Sequence, residues 1–205
     1  AISPDGTTIA FTYKGDIYTV PSTGGRASQI TTNPAHDTKP IWSPDGKKIA
    51  FASDRMGSMD IFEVNKEGGI PKRLTTHSGN ETPVAYKDAG HILFLANIMP
   101  TAEDAQFPSG QFQQVYEVNT EGGRPVLFSS MPMEDISINH TGNTLLYHDK
   151  KGYEDPWRKH HTSSITRDIW LCSLNGNRTF RKQTTFNGED RTPVWASDDK
   201  SFYYL

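Results

Sequence analysis

One short pattern occurs four times along this chain and begins a fifth time. Each complete copy has a strand that leads into a Ser-Pro-Asp-Gly turn or a degraded version of it, then two apolar strands, a Gly-Gly turn and a closing strand that ends near Thr-Thr. The five turns lie at residues 3–6, 43–46, 86–89, 139–142 and 196–199. The strands alternate apolar and polar residues, as half-buried β-structure does. Four antiparallel strands per repeat make one propeller blade, so the pattern predicts an all-β fold, a β-propeller built of four-stranded blades.

The spacing of the copies favours a propeller over other repeat architectures. Successive turns are 40, 43, 53 and 57 residues apart, and the two shorter steps match four-stranded blades of about 40 to 50 residues. A helical repeat would need helix-length apolar stripes free of Gly and Pro, and the sequence has none. We therefore treat 1–205 as one propeller domain or fragment, with blades at about 1–35, 36–79, 80–131 and 132–187 and a partial fifth at 188–205.

The partial fifth blade indicates a ring of more than four blades. Residues 194–205 would supply the first strand that blade one lacks, but also a second strand, which blade one already has at 9–13. This duplication argues against a closed four-bladed ring, and propellers have about four to eight blades. We therefore expect part of a larger propeller, with partner contacts or mobility at the sheet faces that a complete ring would cover.

Charge and composition exclude several classes of function. The 21 basic and 24 acidic side chains give a net charge of -3, which predicts neither a nucleic-acid partner nor a basic membrane patch. The sequence shows no run of eighteen apolar residues, so we expect no membrane span, and it shows no targeting leader. Cys172 is the only cysteine; its place on a predicted strand indicates a small buried residue and not a catalytic thiol.

One predicted loop contains the side-chain types of a hydrolase but not their arrangement. Asp155, His160, His161 and two serines lie within a few positions of one another, whereas folding brings the members of a catalytic triad together from distant positions. The sequence also lacks the Gly-x-Ser-x-Gly elbow. Adjacent histidines without a spaced His or Cys pair do not predict a metal site. We expect no catalytic residue, no metal and no cofactor in this chain.

Three strings in the second repeat carry a family resemblance. They are W-S-P-D-G-K-K-I-A-F-A-S-D-R at 42–55, D-I-F at 60–62 and R-L-T at 73–75, and they resemble the repeat shared by TolB propellers and tricorn protease propellers. In the fourth repeat, Y-E-D-P-W-R-K-H-H-T-S-S at 153–164, before R-D-I-W at 167–170, is similar to an insertion in the N-terminal propeller of tricorn-like proteases. The resemblance implies a parent serine peptidase whose PDZ-like module and protease core lie C-terminal to these residues. It therefore assigns no active-site residue to this sequence.

The repeats differ in length mainly at one end of each blade. In an up-and-down blade, the Ser-Pro-Asp-Gly and Gly-Gly turns lie at one face of the ring, and the hairpin between the second and third strands lies at the other. That hairpin grows from residues 14–15 through about 54–59 and 97–113 to about 149–167 in the fourth repeat. Insertions collected on one face of a repeat protein are typical of its binding face.

The two long hairpins contain the candidate contact residues. They mix aromatic side chains with hydrogen-bond donors, as peptide and protein contact surfaces do. The candidates are Phe107 and Phe112 in one hairpin, and Tyr153, Trp157, Arg158, His160 and His161 in the other. The alternative is that Phe107 and Trp157 only anchor their own loops.

Residues reused in every copy are predicted to be scaffold. Asp37, Asn80 and Asp190 each precede a proline by three positions on the links between blades. Side chains of this type can hydrogen-bond to neighbouring backbone and hold one blade to the next.

Three functions fit these observations. The first is a non-catalytic propeller of a tricorn-like peptidase, which guides peptides or contacts other domains and subunits, including the rest of its parent protein. The second is a TolB-like interaction module of the cell envelope, and the third is the propeller gate of a prolyl-oligopeptidase-type enzyme. The insertion at 153–164, which contains His160 and His161, favours the first function. The sequence that follows residue 205 would distinguish the three. The resemblance suggests the periplasm or cell envelope, with the cytoplasm as the alternative.

Overall fold

The computed structural model describes residues 1–98, 113–151 and 165–205, and every regular element among them is a β-strand. The all-β prediction is therefore confirmed. The strands, in chain order, are β1 (Thr8–Tyr13), β2 (Asp16–Pro21), β3 (Ser28–Gln29), β4 (Asp37–Trp42), β5 (Lys48–Ser53), β6 (Asp60–Asn65), β7 (Lys72–Arg73), β8 (Glu81–Asp88), β9 (His91–Ala96), β10 (Gln114–Asn119), β11 (Val126–Ser129), β12 (Met133–Ile138), β13 (Thr144–Asp149), β14 (Ile169–Ser173), β15 (Phe180–Lys182), β16 (Val194–Trp195) and β17 (Phe202–Tyr203).

The chain forms two compact units, and Ala1–Ser129 is the first. It contains three antiparallel sheets, and in each of them spatial neighbours are also neighbours in sequence: β1-β2-β3, β4-β5-β6-β7 and β8-β9-β10-β11. Each sheet is thus an up-and-down meander, which needs only short connections and has the strand order of a propeller blade. A stub at the N-terminus pairs with β1 through a bridge between Ile2 and Ile9.

Apolar side chains join consecutive sheets of this first unit. One cluster contains Ala10 and Ile17 from the first sheet and Phe51 and Phe62 from the second. The Phe51 and Phe62 rings stack with their centroids 6.1 Å apart. A second cluster joins the second and third sheets through residues that include Ile61, Leu74, Phe94 and Tyr116. Strands in the middle of this stack are buried on both faces, which explains their continuous apolar runs.

The second unit, Ser130–Leu205, contains the four-stranded sheet β12-β13-β14-β15 and the two-stranded sheet β16-β17. Trp195 in β16 donates its indole N–H to the Ser137 carbonyl in β12 at 3.1 Å. Cys172 in β14 is fully buried, as predicted, and burial raises the pKa of its thiol. The protonated thiol is a poor nucleophile.

In three of the sheets, a threonine two positions after the last strand holds the strand before it; these last strands are β3, β7 and β15. Each threonine hydroxyl accepts a backbone N–H from an isoleucine near the start of that preceding strand. The three bonds are Ile17 N to Thr31 Oγ1 at 2.9 Å, Ile61 N to Thr75 Oγ1 at 2.8 Å and Ile169 N to Thr184 Oγ1 at 3.1 Å. The Thr-Thr signature therefore has a structural role, because it extends the ladder beyond a last strand of only two or three residues.

Candidate functional site

The two ends of the sheets are built differently, and the turn end is tight. In the first turn the Ser3 hydroxyl donates to Asp5 Oδ1 at 2.6 Å, and the Thr7 N–H donates to the same oxygen at 3.0 Å. These hydrogen bonds, with that from Ser3 the strongest, lower the pKa of Asp5 to about 2. Asp45 is held in the same way by Ser43 and the Lys47 N–H. A carboxylate that accepts hydrogen bonds from its own turn fixes the shape of that turn, so we assign it a structural role and not a ligand-binding one.

The opposite end is formed by the hairpins between the second and third strands of the four-stranded sheets, and by the equivalent hairpin between β1 and β2 of the first sheet. The first hairpin is Lys14 and Gly15 alone, both with positive φ, 50° and 90°, as a two-residue type I′ turn requires. The gap between strands is six residues in the second sheet, 97–113 in the third and 150–168 in the fourth. The extra length predicted at this end of the sheets is therefore present between the strands.

All seven predicted contact residues fall on those two long hairpins. Phe107, Phe112, Tyr153, Trp157, Arg158, His160 and His161 lie outside the described residues. Their role stays a prediction, and the described stems of the hairpins show how the loops are anchored.

The stem of the 150–168 hairpin is held by hydrogen bonds and ion pairs of two aspartates, Asp149 and Asp168. Asp149 Oδ1 accepts the Asp168 N–H at 2.8 Å, and Asp149 Oδ2 accepts the Trp170 indole N–H at 3.2 Å. Asp168 in turn pairs with the Lys151 ammonium and with Lys182, which lies 2.9 Å away. Burial opposes ionisation of Asp168, but the hydrogen bonds from both lysines outweigh it and lower its pKa. The loop therefore starts from a rigid base.

Glu134 in β12, the first strand of the sheet, contacts both sides of that stem. Its carboxylate lies 3.2 Å from His148 Nε2 and accepts bonds from Lys150 Nζ at 2.8 Å and Arg167 Nε at 3.4 Å. The bond from His148 is the largest influence, and with Lys150 and Arg167 it lowers the pKa of Glu134 to about 2 against the effect of burial. Four charged or ionisable side chains thus meet at this stem, from β12, from β13 with the residue after it, and from the segment before β14, and no repeat signature in the sequence marks them.

The 97–113 hairpin has a smaller, mostly apolar stem. The Tyr116 hydroxyl lies against the Gln114 side-chain oxygen at 2.7 Å and against the Ile98 carbonyl. Ile98 packs on the cluster between the second and third sheets. The described part of this hairpin therefore belongs to the core of the first unit.

At the hairpin end of the second sheet, the Arg55 guanidinium is held in place by Asp37 and two aromatic rings. Both carboxylate oxygens of Asp37 accept from one Arg55 nitrogen, at 2.8 and 2.9 Å. The guanidinium carbon also lies 4.6 Å from the centre of the Phe62 ring and 5.4 Å from that of Phe51. Such an arginine is a structural group, since Asp37 pairs its charge and two aromatic rings cover its face.

On the links between sheets, the predicted equivalence of Asn80 with Asp37 and Asp190 was wrong by one position. Asp37, Glu81 and Asp190, not Asn80, occupy equivalent positions, because each donates its backbone N–H to the hairpin of the preceding repeat. The bonds are Asp37 N to Gly15 O at 2.7 Å, Glu81 N to Met59 O at 2.8 Å and Asp190 N to Arg167 O at 3.1 Å. The link before Pro83 is one residue shorter than the others, so counting back from proline selected the wrong residue. Asn80 nevertheless accepts the Met59 N–H at 3.2 Å, as a scaffold residue would.

No group of three or more His, Cys, Asp or Glu side chains within residues 1–98, 113–151 and 165–205 is placed to hold a metal ion. In the same residues, no helix is long and apolar enough to cross a membrane.

Comparison with known proteins places the fold in a family. A model of the tricorn protease N-terminal β-propeller domain matches residues 2–205. Tricorn protease homolog 1 of Streptomyces coelicolor is 25% identical over 200 residues, which are 97% of this chain and 18% of that protein. Uncharacterized protein Atu1656 of Agrobacterium fabrum is 33% identical over 218 residues, which cover 100% of this chain and 68% of the relative. A solved structure described as a TolB protein of Agrobacterium tumefaciens superposes with a TM-score of 0.64 at 23% identity, over 100% of this chain and 73% of that one.

Successive four-stranded meanders with long hairpins at one end define a β-propeller module of the TolB and tricorn type. More specifically, the chain belongs to the family of tricorn protease N-terminal β-propeller domains. It spans only 18% of the length of its Streptomyces relative.

Proposed function

We propose that this chain is a non-catalytic propeller of a tricorn-like peptidase, where it guides peptides or docks other domains and subunits. The observation that carries the proposal is the match of the tricorn N-terminal propeller model to residues 2–205. The small coverage of the Streptomyces tricorn homologue, 18%, leaves ample length in a protein of that kind for a separate protease core. The hydrolytic residues belong to that core and not to the propeller.

Peptide or partner contact is assigned to the hairpin face. At the turn end, the carboxylates of Asp5 and Asp45 are occupied by hydrogen bonds of their own turns. At the hairpin end, the stem around Glu134 and Asp168 presents a long segment rich in aromatic and cationic residues. Rigid support beneath a variable loop is the arrangement by which scaffolds present binding residues.

Two places for the working protein follow from the resemblance. We assign the parent to the periplasm or cell envelope, with the cytoplasm as the alternative. Fractionation of the native host, followed by detection of the protein with an antibody against this chain, decides between them.

A second candidate is a short, stand-alone interaction module. It is favoured by the Agrobacterium relative, because the chain covers 68% of that protein at 33% identity. The remaining third has room for about one or two more blades and none for a protease core. The sequence encoded after residue 205 distinguishes the two candidates: a protease core supports the first, and a stop after one or two further blades supports the second.

The binding role can be tested on the chain itself. The purified 205-residue chain should raise the fluorescence anisotropy of a labelled pool of unstructured peptides, and mass spectrometry should find those peptides uncut. Trp157→Ala combined with Arg158→Ala should weaken binding by about tenfold or more, since aromatic and arginine residues dominate contact energies. The matched control is Lys47→Ala with Lys66→Ala, two exposed cations at the turn end of the second sheet. Cleavage by the chain, or equal weakening by both double variants, would contradict the proposal.

A further inference from the structure

His148 is a buried histidine that joins the fourth sheet to the link that follows it. It lies near the end of β13, and its side chain is 5% exposed. Its Nε2 is 3.2 Å from Glu134 Oε2 on the adjacent strand β12. Its Nδ1 is 3.2 Å from the backbone nitrogen of Thr192, which lies between β15 and β16. One imidazole ring thus bridges a strand and a loop that are 44 residues apart in sequence.

The backbone contact determines where the imidazole proton lies. The Thr192 N–H can only donate, so Nδ1 of His148 must accept and cannot itself be protonated. The neutral ring therefore has its proton on Nε2 and donates it to the carboxylate of Glu134. Both ring nitrogens are satisfied only in this one tautomer.

The link depends on these contacts because its backbone is strained. Thr192 has φ = 52°, a left-handed conformation that is unfavourable for a β-branched residue. Two contacts hold it: the N–H bond to His148, and the Thr192 hydroxyl, which donates to Asp135 Oδ2 at 2.8 Å.

A second proton on His148 is incompatible with this arrangement. A proton taken from water onto Nδ1 would point at the Thr192 N–H, and two donors would then face each other. Asp135 Oδ2 is the nearest carboxylate oxygen to Nδ1, at 3.8 Å, so a small rotation of the charged ring would bring Nδ1–H onto that oxygen. The same oxygen holds the Thr192 hydroxyl, so Thr192 would lose or share both of these contacts.

The surrounding charges come from three sides. Carboxylates of β12 favour the charged ring, and cations on the hairpin stem and the link offset them. These groups are Glu134 and Asp135 on β12, Lys150 after β13, Arg167 before β14, and Glu189 and Arg191 on the link.

We propose that His148 is a pH-sensitive latch between the fourth sheet and the link to the next sheet. The neutral ring closes the latch on the Thr192 N–H, and the charged ring releases it in favour of Asp135. Histidine is the side chain that ordinarily changes charge between pH 5 and 8, so those two pH values are the conditions at which the contact is compared. The inference rests on the geometry of the second unit alone and does not depend on what the hairpins bind.

Nitrogen-15 NMR of the 205-residue chain tests the latch directly. At pH 8 the His148 ring should show the Nε2–H tautomer, with a nitrogen–nitrogen coupling across the hydrogen bond from the Thr192 amide. At pH 5 that coupling should vanish, and hydrogen exchange at Thr192, corrected for its intrinsic pH dependence, should be roughly three- to tenfold faster, as the loss of one hydrogen bond implies. Absence of the coupling at pH 8, or its persistence at pH 5 on a ring shown to be charged, would overturn the proposal.

A variant separates titration of this ring from a general effect of acid. His148→Gln keeps an acceptor for Thr192 and a donor for Glu134 but has no titrating group, so the corrected exchange rate at Thr192 should no longer change between pH 8 and pH 5. The control is His91→Gln, a more exposed histidine paired with Asp88 in the first unit, which should leave the Thr192 response intact. A His148→Gln chain that retains the full response would refute the latch. If that variant does not fold, the coupling measured on the unaltered chain decides the question.

Discussion

Glu81 is a buried carboxyl group at the start of β8, with no exposed surface. Among the described residues, neither of its carboxylate oxygens accepts a hydrogen bond within normal geometry. Burial is the main cause that raises the pKa of Glu81 to about 7; the nearby Thr75 hydroxyl and the charge of Arg73 oppose this rise, and the charge of Asp60 adds to it. Its neighbour Asp60 also has a raised pKa, again chiefly because of burial. This joint between the second and third sheets therefore favours a protonated carboxyl group.

The sign of the resulting pH dependence is definite. The native state keeps the Glu81 proton up to about pH 7, whereas an unfolded chain releases it near pH 4.5, so the free energy of unfolding falls as the pH rises across that interval. Glu81→Gln should remove this loss and be more stable than the unaltered chain at pH 8 by about 1–2 kcal/mol, with little difference at pH 4.5.

Urea denaturation at a series of pH values measures this effect. Glu67→Gln, at a glutamate whose side chain is 72% exposed, is the matched control and should follow the unaltered chain. Parallel pH profiles for Glu81→Gln and the unaltered chain would show that Glu81 is not protonated in the folded state.

The contact between His140 and Asp199 shows how two degraded turns compensate for each other. His140 stands at the proline position of the fourth turn, and Asp199 stands at the glycine position of the fifth with φ = 53°. Asp199 accepts the N–H groups of His140 and Thr141 at 2.9 and 3.0 Å, and its Oδ1 lies 2.7 Å from His140 Nδ1. At the same place in the first unit, a Cβ added to Gly46 would lie 3.7 Å from Pro4 Cδ. In the second unit, polar groups meet at this position instead.

Two substitutions of Asp199 separate its hydrogen bonds from its backbone strain. Asp199→Ala loses the hydrogen bonds and keeps the positive φ, so it should lower the free energy of unfolding by about 1–2 kcal/mol. Asp199→Gly loses the same bonds but relieves the strain, and should be the less damaging change by about 1 kcal/mol. Thermal denaturation of both variants gives the comparison, and equal melting temperatures would mean that strain does not matter there.

At the scale of elements, a threonine accepts the same buried backbone N–H bond in three of the sheets. Thr75→Val preserves shape but leaves the buried Ile61 N–H without its acceptor, so it should destabilise the chain by about 2 kcal/mol. Thr75→Ser keeps the hydroxyl and should cost less than half of that. Chemical denaturation of the two variants tests the role, and a stability for Thr75→Val equal to that of Thr75→Ser would contradict it.

Strands could be predicted from the sequence because their signal is local and repeated. The predicted strand at 9–13 is found as Thr8–Tyr13, and the one at 60–64 is found as Asp60–Asn65. The Glu134 cluster could not be predicted, since its members come from three segments of the chain, are not repeated, and meet only after folding. The register of Glu81 was missed because the proline used as a marker lies one position closer in that link. Side-chain pairing depends on such shifts, which alternation of apolar and polar residues does not encode.

For the whole molecule, the repeat that defines the fold also separates scaffold from function. Where the copies agree, the structure shows turns held by hydrogen bonds, strands held by a threonine hydroxyl, and sheet faces packed on one another. Where they differ, the extra length lies between the second and third strands of the third and fourth sheets. The central claim is that these hairpins perform the binding work of a propeller attached to a separate protease core.

Peptide hydrolysis by the full-length parent protein tests that claim most directly. The measurement is the Michaelis constant for a long unstructured peptide, compared between the unaltered parent, Trp157→Ala with Arg158→Ala, and the turn-end control Lys47→Ala with Lys66→Ala. The hairpin variant should raise the Michaelis constant by about tenfold, while its kcat and both constants of the control variant stay near the unaltered values. An unchanged Michaelis constant in a hairpin variant that still folds and assembles would contradict the account.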